Sequence, residues 1–228
     1  MSFNGNSGPR VTDGGGLSTK PIPSYLCSEQ AVSNDSIVIT VTAWDRTFNG
    51  PQGRGLKPIG WIEAEHRIKV RKSLSDGVRS IFTQIYNARE AERVPIYSGT
   101  DSNGVDRGLQ GFNFRCKRPC EAGYGGAAKC LAAVARDSKA CRHCLSAHAQ
   151  AMAFDINPAV NPFRRKNSKH PEQQIVNPNW DCQAHPRDCL YAIRATDVIY
   201  AAFISHGWYW GGLWTRSKDF MHFSKNDE

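Results

Sequence analysis

Eight cysteines stand in this chain of 228 residues, and seven of them are crowded between positions 116 and 189. No other feature limits the fold as much. Cys116, Cys120, Cys130, Cys141, Cys144, Cys182 and Cys189 form the cluster, and Cys27 stands apart. An even, clustered set points to disulfides made in an oxidising place. A second, structural zinc on cysteines and free thiols are the other two uses of such a set. Cys141-Arg142-His143-Cys144 also has the spacing of a zinc knuckle or a redox pair. A redox enzyme fits less well, because no βαβ pattern surrounds the pair. The spacing alone does not give the connectivity.

Hydrophobic residues make up 40% of the chain and charged residues 22%, which are globular values. The length suits one large domain, or one catalytic domain with a short appendage. The formal charge of +8 favours an anionic partner such as nucleic acid, acidic lipid or a cell-wall polymer. No stretch approaches the roughly 18 apolar residues of a membrane span. The N-terminal MSFNGNSGPRVTDGGG has no apolar core of the kind a secretory signal needs.

Residues 1–35 are rich in Gly, Ser, Asn and Pro and read as a flexible arm. Residues 36–44, SIVITVTAW, favour a strand, and 49–58 read as loop. From Glu63 to Ala91, the spacing of Val70, Leu74, Val78, Ile81, Phe82 and Ile85 predicts one amphipathic helix. Residues 92–147 read mostly as loop with short strands. Met152–Ile156 reads as a strand that places Met152, Phe154 and Ile156 on its apolar side and Asp155 on the other. After the polar loop 163–185, a helix opens near Pro186 and ends at Gly207. Met221–Phe223 reads as a short strand carrying His222 toward a cleft.

A catalytic zinc usually takes three protein ligands and keeps a fourth position for water. His148, Asp155 and His222 are the residues of suitable type and placement. His148 closes a loop, Asp155 follows on a strand, and His222 arrives from a neighbouring strand. Taken alone, a histidine is more often a hydrogen-bonded surface or core group than a ligand.

Four pieces of sequence carry a resemblance. Ser146-Ala147-His148-Ala149-Gln150-Ala151-Met152-Ala153-Phe154-Asp155 is similar to the Ser-x-His-x-x-Gly-x-Ala-x-Asp motif of the D-alanyl-D-alanine carboxypeptidase and endolysin family of zinc peptidases. Asn157-Pro158 with Asn161-Pro162, the run Gly207 to Trp214, and Asp219-Phe220-Met221-His222-Phe223 also resemble that family, in its order. The resemblance implies an α+β fold: a small antiparallel sheet flanked by helices, a D-Ala-D-Ala carboxypeptidase/hedgehog-like core, and here a Cys-rich loop insert. It divides the chain into an N-terminal extension, 1–60, and a catalytic domain, 61–228.

The resemblance makes His148, Asp155 and His222 the zinc ligands and Asp219 the catalytic carboxylate. Arg115, in Gly111-Phe112-Asn113-Phe114-Arg115, resembles the family arginine and would steady developing charge or hold a substrate carboxylate. Ser146 supports the first ligand, touches substrate or caps a turn. Trp208 and Trp210 are candidate substrate-binding residues, with core packing as the plainer reading. Three positions depart from the pattern: Ala151 stands for Gly, Leu213 for Asp and Ser224 for Glu.

The implied function is zinc-dependent hydrolysis of a peptidoglycan stem-peptide amide, as an L-alanyl-D-glutamate endopeptidase of the endolysin-like branch. A D-alanyl-D-alanine carboxypeptidase is the near alternative, and a non-catalytic wall-binding or virion protein a more distant one. The implied partner is bacterial peptidoglycan, with anionic wall polymers as a second, diffuse one. Nucleic acid is not expected, since neither a helix-turn-helix nor a complete zinc finger is present. The place of action is the extracytoplasmic wall. Without a signal peptide, arrival would need lysis, a holin, a phage particle or non-classical export.

Overall fold

The computed structural model describes residues 25–49, 57–100, 102–165, 186–215 and 217–226. Most of the N-terminal arm and of the 163–185 loop, with His170, Cys182 and His185, lies outside the described residues.

A long antiparallel hairpin comes first. Strand β1 (Ser36–Asn49) pairs with β2 (Lys57–Arg71), from Ser36 opposite Arg71 to Asn49 opposite Lys57. The sequence division at 60/61 therefore falls inside β2. The hairpin also corrects the expected 63–91 helix, whose first part is strand. Ala64, His66, Ile68 and Val70 are buried, while Glu63, Glu65 and Arg67 are exposed. That is the period of two of a half-buried strand. The helical pattern is real only from Leu74 onward. Helix α2 (Ser75–Tyr86) buries Val78, Ile81, Phe82 and Ile85.

Ahead of the hairpin, α1 (Glu29–Asn34) is capped by the Ser28 side chain. The second sheet is four-stranded and antiparallel. Its strands are β3 (Leu109–Gln110), β4 (Ala153–Ile156), β8 (His222–Ser224) and β6 (Tyr209–Trp210), in the spatial order β3-β4-β8-β6. A separate pair joins β5 (Phe163–Arg165) to β7 (Ser217–Asp219). Met152, Phe154 and Ile156 enter the core as their alternation predicts, beside Phe203, Trp208, Trp210 and Phe223. Ile39, Val41, Ile68 and Val70 of the hairpin belong to the same core.

The expected single helix after Pro186 is two helices, α6 (Pro186–Tyr191) and α7 (Val198–Ser205). Asp197 takes an extended conformation, and its carboxylate accepts the Arg194 backbone N–H, ending one segment and opening the next. Gly207, at φ 70, closes α7.

The 92–147 region holds more helix than its glycines and cysteines suggested. It contains α3 (Arg118–Tyr124), α4 (Ala127–Arg136) and α5 (Ser138–Cys144). Helices this short are marginal alone. Disulfides Cys116–Cys130 and Cys120–Cys144 tie them together, and Cys27–Cys141 fastens the chain before α1 to them. Cys189 is disulfide-bonded too. Cys141 and Cys144 thus take different partners, which rules out both a knuckle and a redox pair there. None of the described cysteines is free, so a second zinc has no thiolate to use. No helix among the described residues is long and apolar enough to cross a membrane.

Candidate metal centre

His148 opens a single 3-10 turn, His148–Gln150. Ser146 sets it up: its hydroxyl accepts the Ala149 N–H at 3.2 Å and reaches back to the Arg115 carbonyl at 3.4 Å. Ala151 closes the turn at φ 53, in the left-handed region. From there Ala151 N donates to His148 O at 3.0 Å, and Met152 N to Ala147 O at 3.0 Å. The family pattern has Gly at this position, and the positive φ explains why. Ala accepts that geometry at a cost of about 1–2 kcal/mol.

The turn delivers the chain into β4. There, antiparallel pairing with β8 sets Asp155 directly opposite His222. The adjacent pair, Phe154 and Phe223, points to the other face and into the core. Strand alternation thus puts apolar rings beneath the sheet and the candidate ligands above it.

Three donor atoms meet above the sheet. His148 Nε2 lies 3.1 Å from His222 Nδ1. Asp155 Oδ1 lies 3.2 Å from each of those nitrogens. Tetrahedral zinc with bonds of ~2.0–2.1 Å sets neighbouring ligands ~3.3 Å apart, so the triangle has the size of one ion's ligand face. Its chemistry fits as well. His148 Nδ1 is 2.6 Å from the carbonyl oxygen of Gly111, which can only accept. The proton therefore sits on Nδ1, and Nε2 turns a lone pair toward another imidazole nitrogen and a carboxylate. Lone pairs crowded this closely call for a cation between them.

In the protein alone, His148 and Asp155 act on each other. Burial opposes ionisation of both His148 and Asp155, yet their mutual hydrogen bond and charge win. His148 is raised above its ordinary value, and Asp155, which also faces His222, falls well below the usual carboxylate range.

Asp219 ends β7 near the triangle. Burial pushes its carboxyl up to about 6, with opposing pulls from His222, His148 and Arg115 and a further push from Asp155. Its Oδ1 is buried and has no hydrogen-bond partner. Gly211 makes this placement feasible, because a Cβ there would lie 2.6 Å from Asp219 O and 2.9 Å from Asp219 Cβ. A Cβ on Gly212 would lie 2.3 Å from the Trp210 ring. The paired glycines therefore serve close approach.

A cleft of about 430 Å³ opens beside the triangle, lined in part by Arg67, Lys69, Phe112, Arg115, His148 and Asp155. Arg115 is an exposed residue of its wall, and its charge acts on both His148 and Asp219. Trp208 and Trp210 lie in the core, each 4% exposed, and Trp210 Nε1 donates to Phe220 O. Trp214 is the tryptophan beside a ligand, its ring centroid 5.5 Å from that of His222. His206 caps α7 and reaches Ser80, away from the cleft lining.

Sequence reasoning missed the Gly111 carbonyl and the pair formed by buried His66 with half-buried Asp106. His66 Nδ1 meets Asp106 Oδ2 at 2.7 Å, while Asp106 Oδ1 accepts the backbone N–H groups of Gly108 and Leu109. This pair anchors the segment that ends at Gly111. The one available signal was His66 on the apolar side of an alternating strand.

Against known proteins, residues 140–225 match the family model described as D-alanyl-D-alanine carboxypeptidase. The match includes His148, Asp155, Asp219 and His222, and leaves out Arg115 and the hairpin. No curated protein matches the chain. No solved structure matches it either, so the hedgehog-like comparison gains no support. The stretch that forms the triangle of His148, Asp155 and His222 is thus similar to the D-alanyl-D-alanine carboxypeptidase family.

Proposed function

We propose that this protein is a zinc-dependent peptidase of the peptidoglycan stem peptide, acting as a D-alanyl-D-alanine carboxypeptidase. The observation that carries the reading is the triangle of His148, Asp155 and His222, 3.1–3.2 Å on a side, with the unpartnered carboxylate oxygen of Asp219 nearby. The family description favours the carboxypeptidase over the L-alanyl-D-glutamate endopeptidase. Nothing in the comparisons points to the endolysin-like branch.

When bound, zinc supplies Lewis acidity toward a carbonyl oxygen and toward water. His148, Asp155 and His222 would hold it, and the Gly111 carbonyl keeps His148 in the required tautomer. Asp219 takes the proton of the attacking water at its buried Oδ1 and passes it to the leaving amine nitrogen. Burial of this carboxyl favours its neutral form, which suits a group that must hold the proton between the two transfers. Arg115 projects into the cleft and steadies charge on the scissile carbonyl oxygen or grips the C-terminal carboxylate of the substrate. The disulfide framework and the wall substrate both belong outside the cytoplasm.

The test is digestion of purified peptidoglycan by the zinc-loaded protein and by D219A, read by fragment mass. Release of free D-Ala by the wild type alone is expected. A new D-Glu N-terminus would replace the carboxypeptidase by the endopeptidase. No cleavage of any wall would leave a binding protein.

A further inference from the structure

Resting on that reading, we propose that Arg67 and Lys69 of β2 form a second anionic subsite in the cleft, one that takes an internal carboxylate of the substrate peptide. The two residues are two positions apart on one strand, so they project from the same face. Both line the cleft that also contains His148, Asp155 and Arg115.

Charge in the cleft is unbalanced. The carboxylates of Asp106 and Asp155 are already engaged, by His66 with two backbone N–H groups and by the two ligand histidines. Among the described residues, Arg67, Lys69 and Arg115 have no carboxylate at ion-pair distance. Lys69 is held in place by neutral groups only. Its Nζ donates to Ser33 Oγ at 2.7 Å and lies 4.1 Å from the Phe112 ring centroid. A cation fixed this way loses little freedom on binding an anion. Arg67, exposed opposite Thr40, leaves its guanidinium free to make the paired hydrogen bonds a carboxylate accepts.

Arg115 acts on His148 and Asp219, whereas Arg67 and Lys69 stand on β2, a different element of the cleft wall. The bound carboxylate is therefore a second one, carried by a residue away from the scissile bond. Arg67 and Lys69 also lie outside the 140–225 family match. This chain's hairpin thus supplies a recognition element of its own.

The experiment is calorimetric titration of three synthetic stem pentapeptides, each with lysine at its third position, into the full zinc-loaded chain. A D219N background prevents turnover. One peptide has both its glutamyl α-carboxylate and its C-terminal carboxylate free. The second replaces the glutamyl carboxylate by a carboxamide, and the third the C-terminal one. The glutamyl carboxamide is expected to weaken binding roughly ten- to a hundredfold. R67Q/K69Q should remove that penalty without changing zinc content. R67E alone, at an exposed position, should reverse the preference and guards against misfolding of the double variant. A penalty confined to the C-terminal carboxamide, or a glutamyl penalty that survives R67Q/K69Q and R67E, overturns the subsite. Cleavage by the wild type with no glutamyl penalty keeps the proposed function and removes the subsite. Binding through Arg67 and Lys69 without any cleavage by the wild type does the reverse.

Discussion

A single contact, His148 Nδ1 to the Gly111 carbonyl, decides which nitrogen faces Asp155 and His222. The candidate metal site is thus prepared by backbone as much as by its three side chains. Asp219 differs in kind, since its carboxylate is held near the triangle but outside it. D219N should keep its zinc and lose roughly 10²–10⁴-fold in kcat, measured on metal-loaded protein by D-Ala release. An unchanged kcat would remove Asp219 from the chemistry. Ala151 makes a different demand. Its left-handed backbone tolerates a methyl but not a β-branched side chain, and the site is fully buried. A151V should lower stability by about 2–3 kcal/mol in urea melts and weaken zinc binding, whereas A151G should change stability by less than about 1 kcal/mol. Equal stability of all three proteins would show that this turn carries no strain.

At the scale of elements, legibility in the sequence followed how local each signal was. The strand Met152–Ile156 and the positions of its ligand and core faces were readable, because alternation is a property of five adjacent residues. The β2 strand was misread because Val70 also fits the helical spacing that begins at Leu74. His66, a polar residue on the buried side, hid the alternation. The three helices of 118–144 were missed for another reason: their stability lies in disulfides between distant positions, which no local pattern reports. Arg115 and Ser146, both beside that unit, joined the site reading only through the family resemblance. The Cys27–Cys141 bridge closes a loop of 114 residues. C27S/C141S should therefore cost about 2–4 kcal/mol of stability. His148 follows α5 by four residues, so zinc affinity should fall as well. A double variant with wild-type melting and affinity would make that bridge incidental. Gly211 is the complementary case at the sheet. G211A should displace Asp219 and reduce turnover more than zinc content, and kinetics paired with metal analysis would separate the two.

For the whole molecule, the ionisable groups of the site set a pH dependence whose sign can be worked out. Asp155 is depressed in the folded state, so its contribution is present above the ordinary carboxylate value of ~3.9 and lost as pH falls through its lowered one. His148 is raised, so its contribution is full below ~6.5 and lost as pH rises through its raised value. Burial raises Asp219 to about 6, so its contribution is full below the ordinary carboxylate value of ~3.9 and lost as pH rises through about 6. The metal-free protein should therefore be most stable at mildly acidic pH. Zinc requires the ligands deprotonated, so its stabilisation should grow from pH 5 to pH 8. Thermal melts with and without chelator would check this, and a pH-independent difference would contradict it.

The most direct measurement is zinc content per chain, by elemental analysis, of the wild type beside H148A, D155A and H222A. One zinc in the wild type and a marked loss in each folded variant is the expected result. Full zinc in any one of the three variants would contradict the convergence of these side chains on a common ion.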